Sequence, residues 1–393
     1  MSACFRIRPA RLAAWGLAAA LAAALVPAAR AELPVEQLTV EKLPPIDPYR
    51  IYLSDPAMGH LVDGRTHVVD GVHMRYLGML GTGFAAATTL SRDGQTIFVA
   101  TTYHSRLQRG TRTDVVEVYR ANDLTFQYEI KIPPKRVESL AMRALLATSA
   151  DDRFLLVQNA TPATSVTVVD LQARRAVAEV PTPGCYGVIP WPSQPRRFSS
   201  VCGDGTFATF DLDDKGALAS SNITGPFFNA DKDPVFIHYE LVGDRLTFVS
   251  YHGDVYTLEL TGAKPTAARP WSMLDAAARK QGWRPGGYQL FAIEPRSERL
   301  YVGMHDKGAE GTHKTPAKEI WIFDLKKQTR IARMPGQMAV SMNIARSATP
   351  WLFVLSGADN RILSFDLSGL KPPTKPLARS EPIGETPVFL GMQ

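Results

Sequence analysis

Residues 299–306 read RLYVGMHD, and after a polar loop residues 318–325 read KEIWIFDL. In the first run Leu300 and Val302 share one face, Tyr301 and Gly303 the other. In the second, Ile320, Ile322 and Asp324 share one face, Trp321 and Phe323 the other. Short segments of period 2, rich in β-branched and aromatic residues, are strands. Both faces of the second segment are apolar, so it predicts a strand covered on both sides.

The same paired unit recurs. RIYLS at Arg50 opens the series. TIFVA at Thr96 is followed by VVEVY at Val115, and RFLLV at Arg153 by SVTVVDL at Ser165. RFSSV at Arg197 precedes TFATFDL at Thr206, and RLTFV at Arg245 precedes DVYTLEL at Asp254. The Arg299 pair comes next, and PWLFV at Pro350 with RILSFDL at Arg361 is last. Aligning Ile51, Ile97, Phe154, Phe198, Leu246, Leu300 and Leu352 gives steps of 46, 57, 44, 48, 54 and 52 residues. Repeats of about 40–50 residues with four strands each are the mark of a β-propeller. One such sheet cannot cover both its faces; a ring of them can. The pattern predicts an all-β, seven-bladed propeller of four-stranded antiparallel blades over residues 49–393. A β-solenoid has shorter repeats, and a pair of β-sandwiches lacks the regular spacing.

Upstream, residues 1–31 carry Arg6, Arg8 and Arg11, then an apolar Ala-rich stretch, then a small-residue cleavage pattern at Ala29 and Ala31. This predicts a secretory signal peptide. The apolar stretch is short of the roughly 20 residues of a membrane span, and no other segment approaches that length. Residues 32–48, rich in Pro and Glu, are read as an N-terminal arm with a short helix from Val35, or else as a tail. The formal charge of +6 falls to +2 once the four signal arginines are removed. No basic stripe points to nucleic acid. Cys4 belongs to the signal. Cys185 and Cys202 remain, and an even pair in an exported chain predicts a disulfide; two free thiols are the alternative, and a metal site lacks companion ligands.

Several loops stand out. Arg106, Arg109 and Arg112, at intervals of three, are read as a solvated hairpin tip or as a patch for an acidic partner. The Pro-rich stretch 181–195 is read as a rigid crossover rather than a strand. Residues 271–287 have helical spacing, with Ser272 or Asp275 as cap and Gly282 as stop. Gly81, Thr82, Gly83 and Phe84 are read as a turn, with Phe84 either in the core or exposed on the ring face. Loop 305–318 places His305 and His313 near Asp306 and Glu310 in sequence, as solvated residues or a metal site. Asp170, Asp211, Asp324 and Asp366 recur at strand ends and are read as turn formers. No metalloprotease, nucleophile-elbow, phosphate-loop, dinucleotide or haem motif is present.

Longer motifs carry a resemblance. TTYHSRLQRGTRTDVVEVY (101–119), GCYGVIP (184–190), VCGDGT (201–206), GWRPGGY (282–288) and GTHKTPA (311–317) resemble the large, or heavy, subunit of tryptophan tryptophylquinone-dependent amine dehydrogenases. IKIPPKRV (130–137), FVSYHGDVY (248–256) and PAKEIW (316–321) are closer to the aromatic (aralkylamine) branch than to the methylamine branch. The resemblance implies a seven-bladed propeller in a periplasmic α2β2 enzyme. It implies that the small subunit carries the quinone, and that amines are oxidised to aldehyde and ammonia with electrons passed to a blue copper protein, azurin or amicyanin. No catalytic residue, cofactor or metal is then expected in this chain. Cys185 and Cys202 match the family disulfide, and Phe84 matches the residue that closes the substrate channel, although GTGFAAA replaces larger neighbours. Two other readings are a non-catalytic binding propeller and a self-sufficient propeller hydrolase, which needs a metal-ligating set that cannot be assembled here.

Overall fold

In the computed structural model the opening stretch forms two antiparallel strands, Arg299–His305 and Ala317–Asp324, with Leu300 opposite Phe323 and Val302 opposite Trp321. Leu300, Val302, Trp321 and Phe323 pack toward one neighbouring sheet, and Tyr301, Ile320 and Ile322 toward the other. The apolar alternation is therefore used on both sides. The structure describes residues 39–369 and 371–393. The signal peptide and the helix read from Val35 lie outside the described residues.

Seven such hairpins are each extended by an inner and an outer strand. Blade 1 holds Phe389–Gly391, Arg50–Asp55, Gly64–Asp70 and the first half of Arg75–Leu90. Blade 2 takes the second half of that strand with Thr96–Arg106, Arg109–Arg120 and Phe126–Ile132. Blade 3 is Leu146–Thr148, Phe154–Asn159, Ser165–Asp170 and Arg175–Pro181. Blade 4 is Cys185–Pro190, Arg197–Cys202, Phe207–Leu212 and Leu218–Ile223. Blade 5 is Glu240–Val242, Arg245–Val249 and Asp254–Glu259, edged by Thr266–Ala267 and Trp271–Ser272. Blade 6 is Phe291–Glu294, the opening hairpin and the first half of Thr329–Ile344. Blade 7 takes its second half with Trp351–Ser356, Ile362–Asp366 and Ala378–Arg379.

Seven apolar clusters fill the seven interfaces between successive blades, the last joining blade 7 to blade 1. Successive residues serve opposite interfaces. Leu155 and Val157 face blade 2, while Phe154 and Leu156 face blade 4. Each fully buried side chain of this kind contributes about 1.5–3 kcal/mol relative to exposure.

Closure depends on the last strand. Phe389–Gly391 pairs with Arg50–Asp55 and supplies the inner edge of blade 1. Asp55 fastens the approach to it, accepting from the backbone N–H of Glu385 (2.6 Å) and Thr386 (3.1 Å) as well as Ala57 (2.8 Å). Burial alone would raise its pKa, but these bonds and His67 hold it at about 2.

Four readings are corrected. Residues 81–84 are no turn: the strand Arg75–Leu90 runs through them, and Gly83 (φ +65°) and Ala85 (φ +45°) kink it as it passes between blades. Cys185–Pro190 is the inner strand of blade 4, because Pro190 closes it and Pro183 lies before it, leaving its hydrogen-bonded interior free of proline. Of the three arginines read as a hairpin tip, Arg106 and Arg109 flank the turn as expected, whereas Arg112 lies within the strand Arg109–Arg120, opposite His104. The helix read over 271–287 shrinks to Ala276–Lys280, capped by Asp275, whose carboxylate accepts from Ala278 N–H at 2.7 Å. Trp271 and Ser272 are drawn into pairing with Val255 and Asp254 instead.

Candidate functional site

Antiparallel strands reverse direction at every step. In each blade, therefore, the loop between the second and third strands and the connection to the next blade emerge on the same face of the ring. The resemblance motifs of the sequence all fall there: hairpin 101–119, segment 130–137, the start of 184–190, loop 201–206, loop 248–256, connection 282–288 and loop 311–317. Phe84 stands on the same face, at the crossing from blade 1 to blade 2.

Phe84 is half-buried, with its ring edge-on to His104 at a centroid separation of 5.8 Å. Its backbone is held from behind. The Arg136 guanidinium donates to the carbonyls of Phe84 (2.5 Å) and Ala85 (2.9 Å) and to Thr102 Oγ1 (2.9 Å). Thr102 Oγ1 donates to Asp114 Oδ1 (2.9 Å), and Asp114 Oδ2 accepts from Arg136 N–H (3.0 Å). Arg112 closes the network with a two-pronged grip on Asp114, both contacts 2.8 Å, and a third contact to Glu138 at 3.1 Å. Arg136 and Asp114 are 3 % and 0 % exposed, so their charges must be matched in place. Burial draws Arg136 down to about 10 against the pull of Asp114 and Glu138, and it stays charged at neutral pH.

Gly83 fits this frame because a side chain there would lie 2.7 Å from Thr101 Oγ1 and 3.0 Å from the Tyr103 ring. Tyr103 donates to Glu117 at 2.6 Å, and Tyr119 donates to the other oxygen at 2.9 Å. Of the three spaced arginines, Arg112 is thus consumed inside the network. Arg106 and Arg109 face each other at the hairpin tip beside fully presented Leu107.

The remaining candidates separate. His305 is buried with Nδ1 against Asp306 O at 3.1 Å, whereas His313 stacks on Tyr251 at 4.8 Å. Among the described residues no three His, Cys, Asp or Glu side chains converge as metal ligands. Asp170, Asp324 and Asp366 accept from backbone N–H groups of their turns, and Asp170 also pairs with Arg153; Asp211 departs from the turn-forming reading and is held instead by the side chains of Arg197 and Ser220. Cys185 and Cys202 lie opposite each other in register and form a disulfide. Trp283 and Trp321, with ring centroids 5.0 Å apart, are buried in the packing between blades 5 and 6 and are closed to a substrate.

The chain matches the family model "Methylamine dehydrogenase heavy chain (MADH)" over residues 47–388. The chain belongs to the methylamine dehydrogenase heavy chain family. The heavy chain of Methylobacillus flagellatus is 30% identical over 91% of this chain and 93% of its own length. That of Paracoccus versutus is 30% identical over 84% of this chain and 77% of its own, and that of Methylorubrum extorquens 27% over 89% and 84%. Among solved structures, the β-propeller domain of Cps50 (Swd1) superposes with a TM-score of 0.54 at 11% identity, covering 85% of this chain and all of that one. Dihydro-heme d1 dehydrogenase NirN gives 0.55 at 14% identity, covering 89% and 67%. These two likenesses concern the fold alone. The heavy-chain match spans nearly every described blade.

Arg136, Asp114, Thr102 and Glu138 were not singled out by the sequence. Asp114 and Arg136 are 22 residues apart, and only the packing of adjacent strands brings them together. The one available signal was the placement of Thr102, Asp114 and Arg136 inside the resemblance motifs.

Proposed function

We propose that the chain is the large subunit of a periplasmic amine dehydrogenase of α2β2 composition. The single observation that carries this reading is the heavy-chain family match, whose most specific motifs all lie on one face of the ring. On this reading the small subunit docks there. It carries tryptophan tryptophylquinone, which accepts two electrons as a primary amine is converted with water to aldehyde and ammonia. Electrons then leave singly to a blue copper protein, azurin or amicyanin.

The large subunit contributes shape and exclusion. Phe84 borders the amine channel, and the Arg112–Asp114–Arg136 network fixes its backbone so that the ring alone decides the width. Ala85, Ala86 and Ala87 follow it, and small neighbours leave room for an aromatic amine. That room, with the likeness of segments 130–137, 248–256 and 316–321, supports an arylalkyl substrate over methylamine. Export through the signal peptide of residues 1–31 supports the periplasmic location, as does the disulfide.

The test is co-expression with the small subunit and its maturation factors. The native complex is expected to show quinone absorbance and to reduce an artificial acceptor with phenethylamine or tyramine faster than with methylamine. A complex without quinone absorbance, or turnover of amines by this chain alone, overturns the reading. Faster turnover of methylamine overturns only the substrate preference.

A further inference from the structure

The axis of the ring holds a well of about 430 Å³, walled by the inner strands of every blade but the sixth. On the motif side Phe389, which lines the well, packs with Ala141, Tyr288 and Val388. Its wall continues to Arg92, Gly243 and Arg346, in loops of the other face, so its mouth lies away from the motifs.

Charge is concentrated inside. Arg143, just ahead of blade 3, and Arg346, at the end of blade 7's inner strand, converge on Glu240 of blade 5. Glu240 Oε2 lies 3.3 Å from Arg143 Nη1 and 4.0 Å from Arg346 Nη2. Arg143 also donates to Tyr239 O (3.3 Å) and Arg346 to Leu241 O (2.8 Å). Among the described residues, Nε and the second amino group of each guanidinium have no acceptor. Three arginines and no Asp or Glu side chain line the wall, and Glu240 behind it offsets only one of them. Arg346 keeps 49% of its side chain open to solvent, and partial desolvation and then repulsion from Arg143 pull it below the usual arginine range, as two neighbouring like charges require. A guanidinium presents a planar fork of donors matched to phosphate and carboxylate oxygens. Thr88, Thr148 and Asn343 add polar groups to the same wall.

We propose that this axial well binds a small oxyanion, a phosphate or a carboxylate, between Arg143 and Arg346. The well opens on the face of the ring opposite the resemblance motifs. Calorimetric titration of the purified complex with inorganic phosphate and, separately, with acetate at constant ionic strength tests it. Saturable binding of at least one probe is expected, tighter for phosphate if the resident ligand is doubly charged and tighter for acetate if it is a carboxylate. Arg346→Gln is expected to raise the dissociation constant about tenfold, the loss of one charge-assisted hydrogen bond. Arg269→Gln, at an exposed arginine outside the well, is expected to leave it unchanged. Absence of saturable binding by both probes overturns the proposal, as does binding that Arg346→Gln leaves intact or that Arg269→Gln weakens equally.

Discussion

Arg136 shows how a single side chain turns a stretch of small residues into a fixed position. Its guanidinium holds two consecutive carbonyls, those of Phe84 and Ala85, while its own backbone leans on Asp114. Replacing it with methionine keeps the bulk and strands a buried carboxylate with Arg112 as its one remaining cation. Arg136→Met is therefore expected to destabilise the chain by about 3 kcal/mol in denaturant unfolding. Phe84→Ala removes a half-buried ring and leaves the frame standing. Its cost in stability is expected at about 1 kcal/mol, while the ratio of kcat/KM between phenethylamine and methylamine changes severalfold. An unchanged ratio in steady-state kinetics removes Phe84 from the channel. Neither role was readable from spacing. Phe84 sits between glycine and alanines, a context equally suited to core or surface, and the residues that decide between them come from other strands.

At the scale of the element, the middle two strands of each blade were legible and the inner ones were not. Phe154–Asn159 and Ser165–Asp170 present apolar residues to two neighbours, so alternation is strong and long. Leu146–Thr148, Glu240–Val242 and Phe389–Gly391 are three residues each, too short to carry a period. Cys185–Pro190 was obscured by flanking proline and is recognised only through its partner strand. There the disulfide ties the inner strand of blade 4 to its neighbour across a separation of 17 residues. Cys185→Ser with Cys202→Ser is expected to cost about 3 kcal/mol on the loop-entropy account, read as a lowered urea midpoint. A midpoint equal to that of the parent means the strand pairing alone suffices.

For the whole molecule, charge in the axial well links blades that share no strand contact. Arg143, Glu240 and Arg346 belong to the third, fifth and seventh. Burial by itself would raise the pKa of Glu240, but Arg143, His238 and Arg346 prevail and hold it at about 2. The folded value lies below the unfolded one, so this stabilisation is complete above about pH 4–5 and is lost as pH falls toward 2, about 3 kcal/mol in all. Asp55 acts in the same window and the same direction. Unfolding free energy measured between pH 6 and 2 is expected to decline through that range. Glu240→Gln is expected to be less stable at pH 6 and to show a shallower decline. An equally steep decline in the variant assigns the acid sensitivity elsewhere.

Because residues 389–391 supply the innermost strand of the first blade, the wheel stays a broken circle until that strand is in place. A chain that lacks this strand presents Arg50–Asp55 as a bare, apolar edge, the kind of surface that recruits strands from other molecules. The yield of folded protein should therefore hinge on residues 389–391. Cutting them away, or burdening them with a bulky fusion, would divert the protein into aggregates even though every blade from the second to the seventh remains whole.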